Sequence, residues 1–259
     1  MDFSDLPTDY FAKAEQFTRG LYYDVYPSGI ASSFAKAGAS VLILPGRTKQ
    51  DLEAAAAELQ VVAPRVETDV RVVDISNEIQ VKDIFVELRE AYPRIDILVN
   101  NAGAGGSPLP IVEIDAERWW HNFEVNVKGT FLMTQHFLQL NGKDREVTII
   151  NVASAAALNS LPCLSSYSLS KLCQIRLQDF RTPWNRQDPH DPSCLRTFFK
   201  NTFELVGGVT VWLASEQATF MNGRYMSVNW SVDELVERKD ETVSNGLLSI
   251  RLQGKFGHF

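Results

Sequence analysis

The feature that most constrains this chain is an alternation of two periodicities. Short, continuously apolar runs bounded by Gly, Pro or Asn take turns with longer stretches at helical spacing. "SVLIL" (Ser40–Leu44), "DVRVVDIS" (Asp69–Ser76), "RIDILVN" (Arg94–Asn100) and "EVTIINV" (Glu146–Val152) read as strands. Between them, "SGIASSFAKAG" predicts a helix ending on Gly38, and "TKQDLEAAAAELQ" is built from strong helix formers. "NEIQVKDIFVELREAY" places Ile79, Val81, Ile84, Phe85 and Leu88 at roughly helical spacing. Further helices are expected over about 115–140 and 164–180, and "CLRTFF" (Cys194–Phe199) reads as a sixth strand.

Strands that are apolar throughout must be covered on both faces, which implies a parallel sheet sandwiched by helices. Right-handed crossovers then give a doubly wound, Rossmann-type α/β layout. Ligands of such sheets bind beyond the carboxyl ends of the strands, so chemistry is expected just after them. Residues 1–20 read as a polar leader and 21–259 as one Rossmann-type domain with a partly helical C-terminal tail. No internal repeat is present.

Composition narrows the function classes. The net charge of -7 argues against general nucleic-acid or anionic-membrane binding. No apolar run approaches the ~20 residues of a membrane span. "MDFSDLPTDY" lacks the basic start and apolar core of a secretory signal. Cys163, Cys173 and Cys194 are odd in number and match no metal spacing, so reduced thiols and a cytoplasmic location are expected. His121, His136, His190 and His258 show no ligand spacing either.

The polar residues after the strands form a pattern. "NNAG" (Asn100, Asn101, Ala102, Gly103) follows one strand, and Ser154 follows another. Tyr167 stands thirteen residues after Ser154, and Lys171 four after Tyr167, in "YSLSK"; Asn126 lies between the two strands in "EVNVKGTF". Residues i and i+4 share a helix face, so Tyr167 and Lys171 would point into one cleft. A tyrosine with its ordinary pKa of ~10 releases few protons at neutral pH. A nearby ammonium favours the phenolate and makes Tyr167 a usable acid or base toward a carbonyl or alcohol oxygen. The Ser154 hydroxyl could hydrogen-bond that same oxygen. Each residue also has an ordinary structural use. Ser154 could cap a helix, Asn126 could bond to backbone, Asn100 could bridge strand ends, and Lys171 could be a solvated helix lysine.

With these residues in this order, the chain resembles the short-chain dehydrogenase/reductase (SDR) family. The resemblance covers about 28–180 and again about 205–230. "DVYP", "VWLAS" and "GRYMSVNW" are similar to fungal secondary-metabolism members. The resemblance implies an NADP(H)-dependent oxidoreductase interconverting a carbonyl and a secondary alcohol on a small organic metabolite. It implies Tyr167 as the proton donor or acceptor, Lys171 and Ser154 as its partners, and Asn126 in a water–lysine relay. It places cofactor contacts at Gly29, Ile30, Asp74, Ile75, Asn101, Ala102, Gly103, Tyr167 and Lys171. It also implies a homodimer or homotetramer paired through the two long helices.

The chain departs from the family pattern twice. The family's first turn, Thr-Gly-x-x-x-Gly-x-Gly, falls on Asp24, Val25, Gly29 and Ala31, of which only Gly29 matches. Valine resists a positive φ, and Asp24 would set negative charge beside a diphosphate. Pro27–Ser28 therefore reads as a junction from which the first strand and most of the phosphate loop are missing, with residues 20–26 as an imperfect substitute. Beyond "CLRTFF", the family's Pro-Gly turn and much of the lid are absent as well. Pro45-Gly46-Arg47 replaces the acidic residue that would select the NAD ribose, so NADP is expected over NAD, with Arg47 facing the 2′-phosphate. These departures support a second expectation, an SDR-fold protein with impaired dinucleotide binding and no redox turnover.

Overall fold

The computed structural model describes residues 26–105, 108–142, 145–158, 162–177, 194–198, 203–227 and 230–249. The leader 1–20, most of the segment 20–26, and the Pro-rich stretch 178–193 lie outside them.

Helices and parallel strands alternate as the pattern requires. They run α1 (Tyr26–Lys36), β1 (Val41–Gly46), α2 (Lys49–Val62), β2 (Glu67–Val72), α3 (Glu78–Ala91) and β3 (Ile97–Asn100). Then come α4 (Ala116–Phe123), a π-helical segment (Glu124–Gly129), α5 (Thr130–Asn141), β4 (Thr148–Val152) and α6 (Ser165–Arg176). The last are β5 (Cys194–Phe198), α7 (Phe203–Leu213), β6 (Tyr225–Met226), α8 (Val232–Glu237) and α9 (Lys239–Ser244).

Local signals account for the boundaries. Gly38 takes φ +96°, and the Ala39 amide bonds back to the Phe34 carbonyl at 3.0 Å, closing α1 as a glycine C-cap does. Asn77 Oδ1 accepts from the amides of Ile79 and Gln80 and starts α3. Asp115 Oδ1 does the same for Glu117 and Arg118 at the start of α4. In α3 the buried stripe is Val81, Ile84, Phe85 and Leu88. Ile79 lies off that stripe and is exposed.

The sheet is doubly wound but divided. β1 pairs in parallel with β2, Val41 opposite Glu67. Separately, β3, β4, β5 and β6 pair in that order, all parallel, with Ile97 opposite Thr148 and Thr148 opposite Cys194. In a six- or seven-stranded sheet of this kind, the first strand lies between these two groups. Among the described residues no strand joins β1 to β3. Ile97, Leu98 and Val99 are half-buried, although central strands of such sheets are normally enclosed.

Helices hold the two parts together from both sides. On one face, Ile30 of α1 packs with Ile150, Val152, Val206, Val209 and Leu213, while Ala31 and Ala35 of the same helix pack with Leu44, Leu52 and Leu59. Helix α1 thus straddles the division. On the other face, Ile43 of β1 and Leu98 of β3 meet the same cluster as Phe85, Leu132, Phe137 and Ile149. Alternation along each strand, such as Leu42 and Leu44 against Ile43, sends neighbours to opposite faces.

Helix α1 and α7 cross closely. A Cβ added at Gly207 would run into Ser33 Oγ and lie 2.8 Å from the Gly29 carbonyl oxygen, so glycine is the residue that fits there. The expected helix over 115–140 is two helices joined by the π segment, which widens the turn around Asn126. Among the described residues no helix is long and apolar enough to cross a membrane.

Candidate active site

Strand β4 carries the site's floor. It ends at Val152, whose carbonyl accepts from Lys171 Nζ at 3.0 Å, and Ser154 follows two residues later. Ser154 serves locally as a cap: its Oγ accepts from the Ala156 amide at 3.3 Å and its carbonyl from the Ala157 amide at 2.9 Å. That use leaves a hydroxyl fixed at the strand end, which suits the catalytic reading equally.

Helix α6 brings Tyr167 and Lys171 onto one face. The Lys171 ammonium lies 5.9 Å from the centre of the Tyr167 ring. Lys171 is 4 % exposed, so the reading of a solvated helix lysine does not describe it. A buried ammonium needs acceptors. Besides the Val152 carbonyl it has Gln174 Oε1 at 2.7 Å.

Asn126 sits fully buried in the π segment. Its Oδ1 accepts from the Ala104 amide at 2.7 Å. Its Nδ2 donates to the Ala104 carbonyl at 2.8 Å and to Ser170 Oγ at 2.9 Å. Ser170 Oγ in turn donates to the Tyr167 carbonyl at 2.8 Å. Asn126 therefore ties the loop after β3 to the helix that carries Tyr167. It bonds to backbone, as its structural reading expected, and does so beside Lys171. A Cβ placed at Gly103 would lie 3.1 Å from Asn126 Oδ1 and 3.2 Å from Lys171 Nζ, so Gly103 closes the same corner.

Two more contacts fasten α4 to the start of α6. Trp119 Nε1 donates to Ser165 Oγ at 3.1 Å, and Asn122 Nδ2 donates to Ser166 Oγ at 2.7 Å. Trp119, Asn122 and Asn126 recur at about one-turn and two-turn spacing, and each meets a serine of "SSYSLS". Asn100 Nδ2 bridges to Asn151 Oδ1 at 2.8 Å, joining the ends of β3 and β4.

The remaining predicted contacts lie along the strand ends. Asp74 follows β2; its Oδ1 accepts from the Ser76 amide at 2.9 Å and hydroxyl at 2.7 Å. Desolvation pushes its carboxyl up, but the Ser76 bonds and the nearby charges of Arg47 and His121 outweigh it and hold Asp74 below the usual range. Arg47 follows β1 and is exposed, and Ile75 is half-buried. Asn101 and Gly103 are half-buried, and Ala102 is exposed. Asn101 Oδ1 is buried with no hydrogen-bond partner among the described residues. Gly29 and Ile30 are within α1, which starts at Tyr26; the Gly29 carbonyl accepts from Ser33 Oγ, and Ile30 is buried in the core. The structure thus gathers Asn126, Gly103, Tyr167 and Lys171, and sets Ser154 at the end of the strand that anchors Lys171. Gly29 and Ile30 stand on a helix and not in a loop ahead of it.

An open cavity of about 870 Å³ is lined by Gly105, Ile114, Trp120, His121 and Glu124 among others. Ser154, Tyr167 and Lys171 are not among its lining residues. Sequence reasoning missed Gln174, Thr130 and the serines at 165, 166 and 170. The serine-rich run around Tyr167 was a visible signal for the latter.

A parallel, doubly wound sheet covered by helices on both faces is an architecture shared by many proteins, and comparison with known ones gives the family. The family model described as short chain dehydrogenase matches residues 28–179. A curated relative, the short chain dehydrogenase mpl6 of Monascus purpureus, is 33% identical over 277 residues, covering 95% of this chain and 92% of that protein. This aligned span exceeds the 259 residues of the chain, so the relative has residues with no counterpart here. Among solved structures, a single-substitution variant of the actinorhodin polyketide ketoreductase with NADPH superposes with TM-score 0.70 at 20% identity, covering 78% of this chain and 91% of that one. The 3-ketoacyl-(acyl-carrier-protein) reductase of Brucella melitensis, complexed with NADH, gives 0.68 at 24%, covering 78% and 91%. The chain belongs to the short chain dehydrogenase family.

Proposed function

We propose that the chain is an NADP(H)-dependent oxidoreductase that interconverts a carbonyl and a secondary alcohol on a small organic metabolite. The observation that carries this reading is the buried Lys171 ammonium, held 3.0 Å from the Val152 carbonyl and 5.9 Å from the Tyr167 ring centre. Tyr167 passes a proton to the carbonyl oxygen in reduction and takes it back in oxidation. Ser154 donates a hydrogen bond to that oxygen, and Lys171 favours the phenolate form of Tyr167. Asn126 supports the relay by fixing the loop after β3 against α6. The bound dinucleotide would supply or accept the hydride.

Residues after the first three strands fit such a group. Asn101 Oδ1 is an orphaned buried acceptor after β3, at a strand end beyond which such ligands bind. Asp74 and Arg47 stand at the adenosine end, and Arg47 suits a 2′-phosphate better than a bare ribose. Gly29 and Ile30, expected toward its middle, stand on α1 instead, and Ile30 is buried in the core. The relatives' complexes include both NADPH and NADH, so the preference for NADP rests on Arg47.

One observation favours the second reading, a family member with impaired dinucleotide binding and no turnover. No described strand joins β1 to β3, and α1 starts at Tyr26, where the phosphate loop would be. Titration of the purified protein with NADPH, followed by fluorescence, separates the two. Saturable binding in the micromolar range supports the enzyme; none up to millimolar sinks it. With binding established, Tyr167→Phe should cut reduction by at least ~100-fold and leave the dissociation constant within about threefold. A surviving rate refutes the acid/base assignment.

A further inference from the structure

Gln174 lies one turn beyond Lys171 on α6 and has no exposed surface. Its Oε1 accepts from Lys171 Nζ at 2.7 Å, and its Nε2 donates to Thr130 Oγ1 at 2.8 Å. The amide orientation is forced by chemistry, because an ammonium only donates. Thr130 is buried at the first position of α5, immediately after the π segment that carries Asn126. The Gln174 carbonyl accepts from Asn151 Nδ2 at 3.2 Å, and Asn151 Oδ1 accepts from Asn100 Nδ2 at 2.8 Å. A continuous buried polar chain therefore runs from the end of β3 through β4 and α6 to α5. Lys171 hangs from it.

We infer that Gln174 is a positioning residue for Lys171. Its side-chain amide and the Val152 carbonyl grip the ammonium from two sides, and Thr130 fixes the amide. The reason is steric and electrostatic together. A lysine stem has four rotatable bonds, so one backbone acceptor leaves the head group able to swing. A second acceptor, itself tied down, sets its distance from Tyr167. In a buried site both acceptors also count for more than they would in water. The inference deepens the proposed redox reading and rests on it for its catalytic meaning, but the grip itself is a property of the unloaded protein.

The test uses the full chain labelled with 15N-lysine, with the Lys171 ammonium resonance assigned by its loss in Lys171→Arg. A gripped, buried ammonium should give a resolved cross-peak at neutral pH, because its exchange with water is slowed. Gln174→Met, which keeps length and removes the acceptor, should broaden or erase that peak. Thr130→Val, which keeps Gln174 and removes only its tether, should shift it. Where activity is measurable with 9,10-phenanthrenequinone and NADPH, both variants should lower kcat about tenfold or more while KM for the quinone changes less than threefold. A Lys171 resonance that is absent in the unaltered protein, or identical in it and Thr130→Val, overturns the proposal. So does a folded Gln174→Met protein with an unmoved resonance. If Gln174→Met does not fold, the Thr130→Val spectrum decides. A chain that shows the expected resonance shifts yet binds no NADPH keeps the grip and refutes the redox reading, so the two failures are told apart.

Discussion

Asn126 closes both backbone hydrogen bonds of Ala104 with one side chain: Oδ1 takes the amide at 2.7 Å and Nδ2 gives to the carbonyl at 2.8 Å. The side chain thereby pairs with the Ala104 backbone as a neighbouring strand would, and it does so from the π segment Glu124–Gly129.

Asn126→Ala should therefore destabilise the fold by about 2–3 kcal/mol, since it leaves Ala104 and Ser170 without their partner in a buried place. Chemical denaturation of the two proteins measures this. A loss under about 0.5 kcal/mol would mean that water replaces the amide.

The crossing of α1 and α7 leaves no room at Gly207. Gly207→Ala should cost about 1–3 kcal/mol, because the new methyl meets Ser33 Oγ and the Gly29 carbonyl at once. Adding Ser33→Ala should recover only part of the loss, since the Gly29 carbonyl remains in place. Full recovery in a thermal melt would show that the helices can separate freely, and α1 would not be a rigid tie across the divided sheet.

Tyr92 makes a pH prediction. Burial, then the hydrogen bond to Asp69 Oδ2 and the charge of Asp69, push its phenol from 10.0 to about 12. The folded value lies above the unfolded one, so this stabilisation is fully present below pH 10 and is lost as the pH rises through about 12. Tyr92→Phe should flatten the alkaline fall in stability across that window. An unchanged alkaline limb would show that Tyr92 ionises as it does in the unfolded chain.

Association is predicted through the outer faces of α4, α5 and α6. Trp120, Phe131 and Leu169 are 57%, 46% and 46% exposed, an unusual outlay of large apolar surface for solvent. Sedimentation should show a dimer or tetramer, and Trp120→Glu with Leu169→Glu should yield monomers with the melting point lowered at most by the lost association. A monomer at micromolar concentration in the unaltered protein would remove this interface.

Much of this was legible in the chain. Apolar runs set against helical spacing point to a parallel, two-faced sheet, because strands apolar on both sides need a helical layer on each, which the helix between successive strands supplies. The cap at Gly38 and the Asn77 and Asp115 starts are local, and local chemistry suffices to place them. The tyrosine–lysine pair follows from one turn of helix. The mismatched glycine positions marked where the sheet would be divided.

Other features were decided only in three dimensions. Gln174 had no motif to announce it, since its Thr130 partner stands 44 residues away and reaches it only in the folded chain. The break in the helix at Glu124–Gly129 was equally hidden, because nothing in "EVNVKG" distinguishes a π turn from an α turn, and the bond from the Ala104 amide to Asn126 joins residues 22 apart. That α1 spans both halves of the sheet depends on Ile30, Ala31 and Ala35 finding separate cores. Sequence sets what each segment prefers over a few residues; long-range burial and the pairing of buried polar groups choose among the ways those segments can meet.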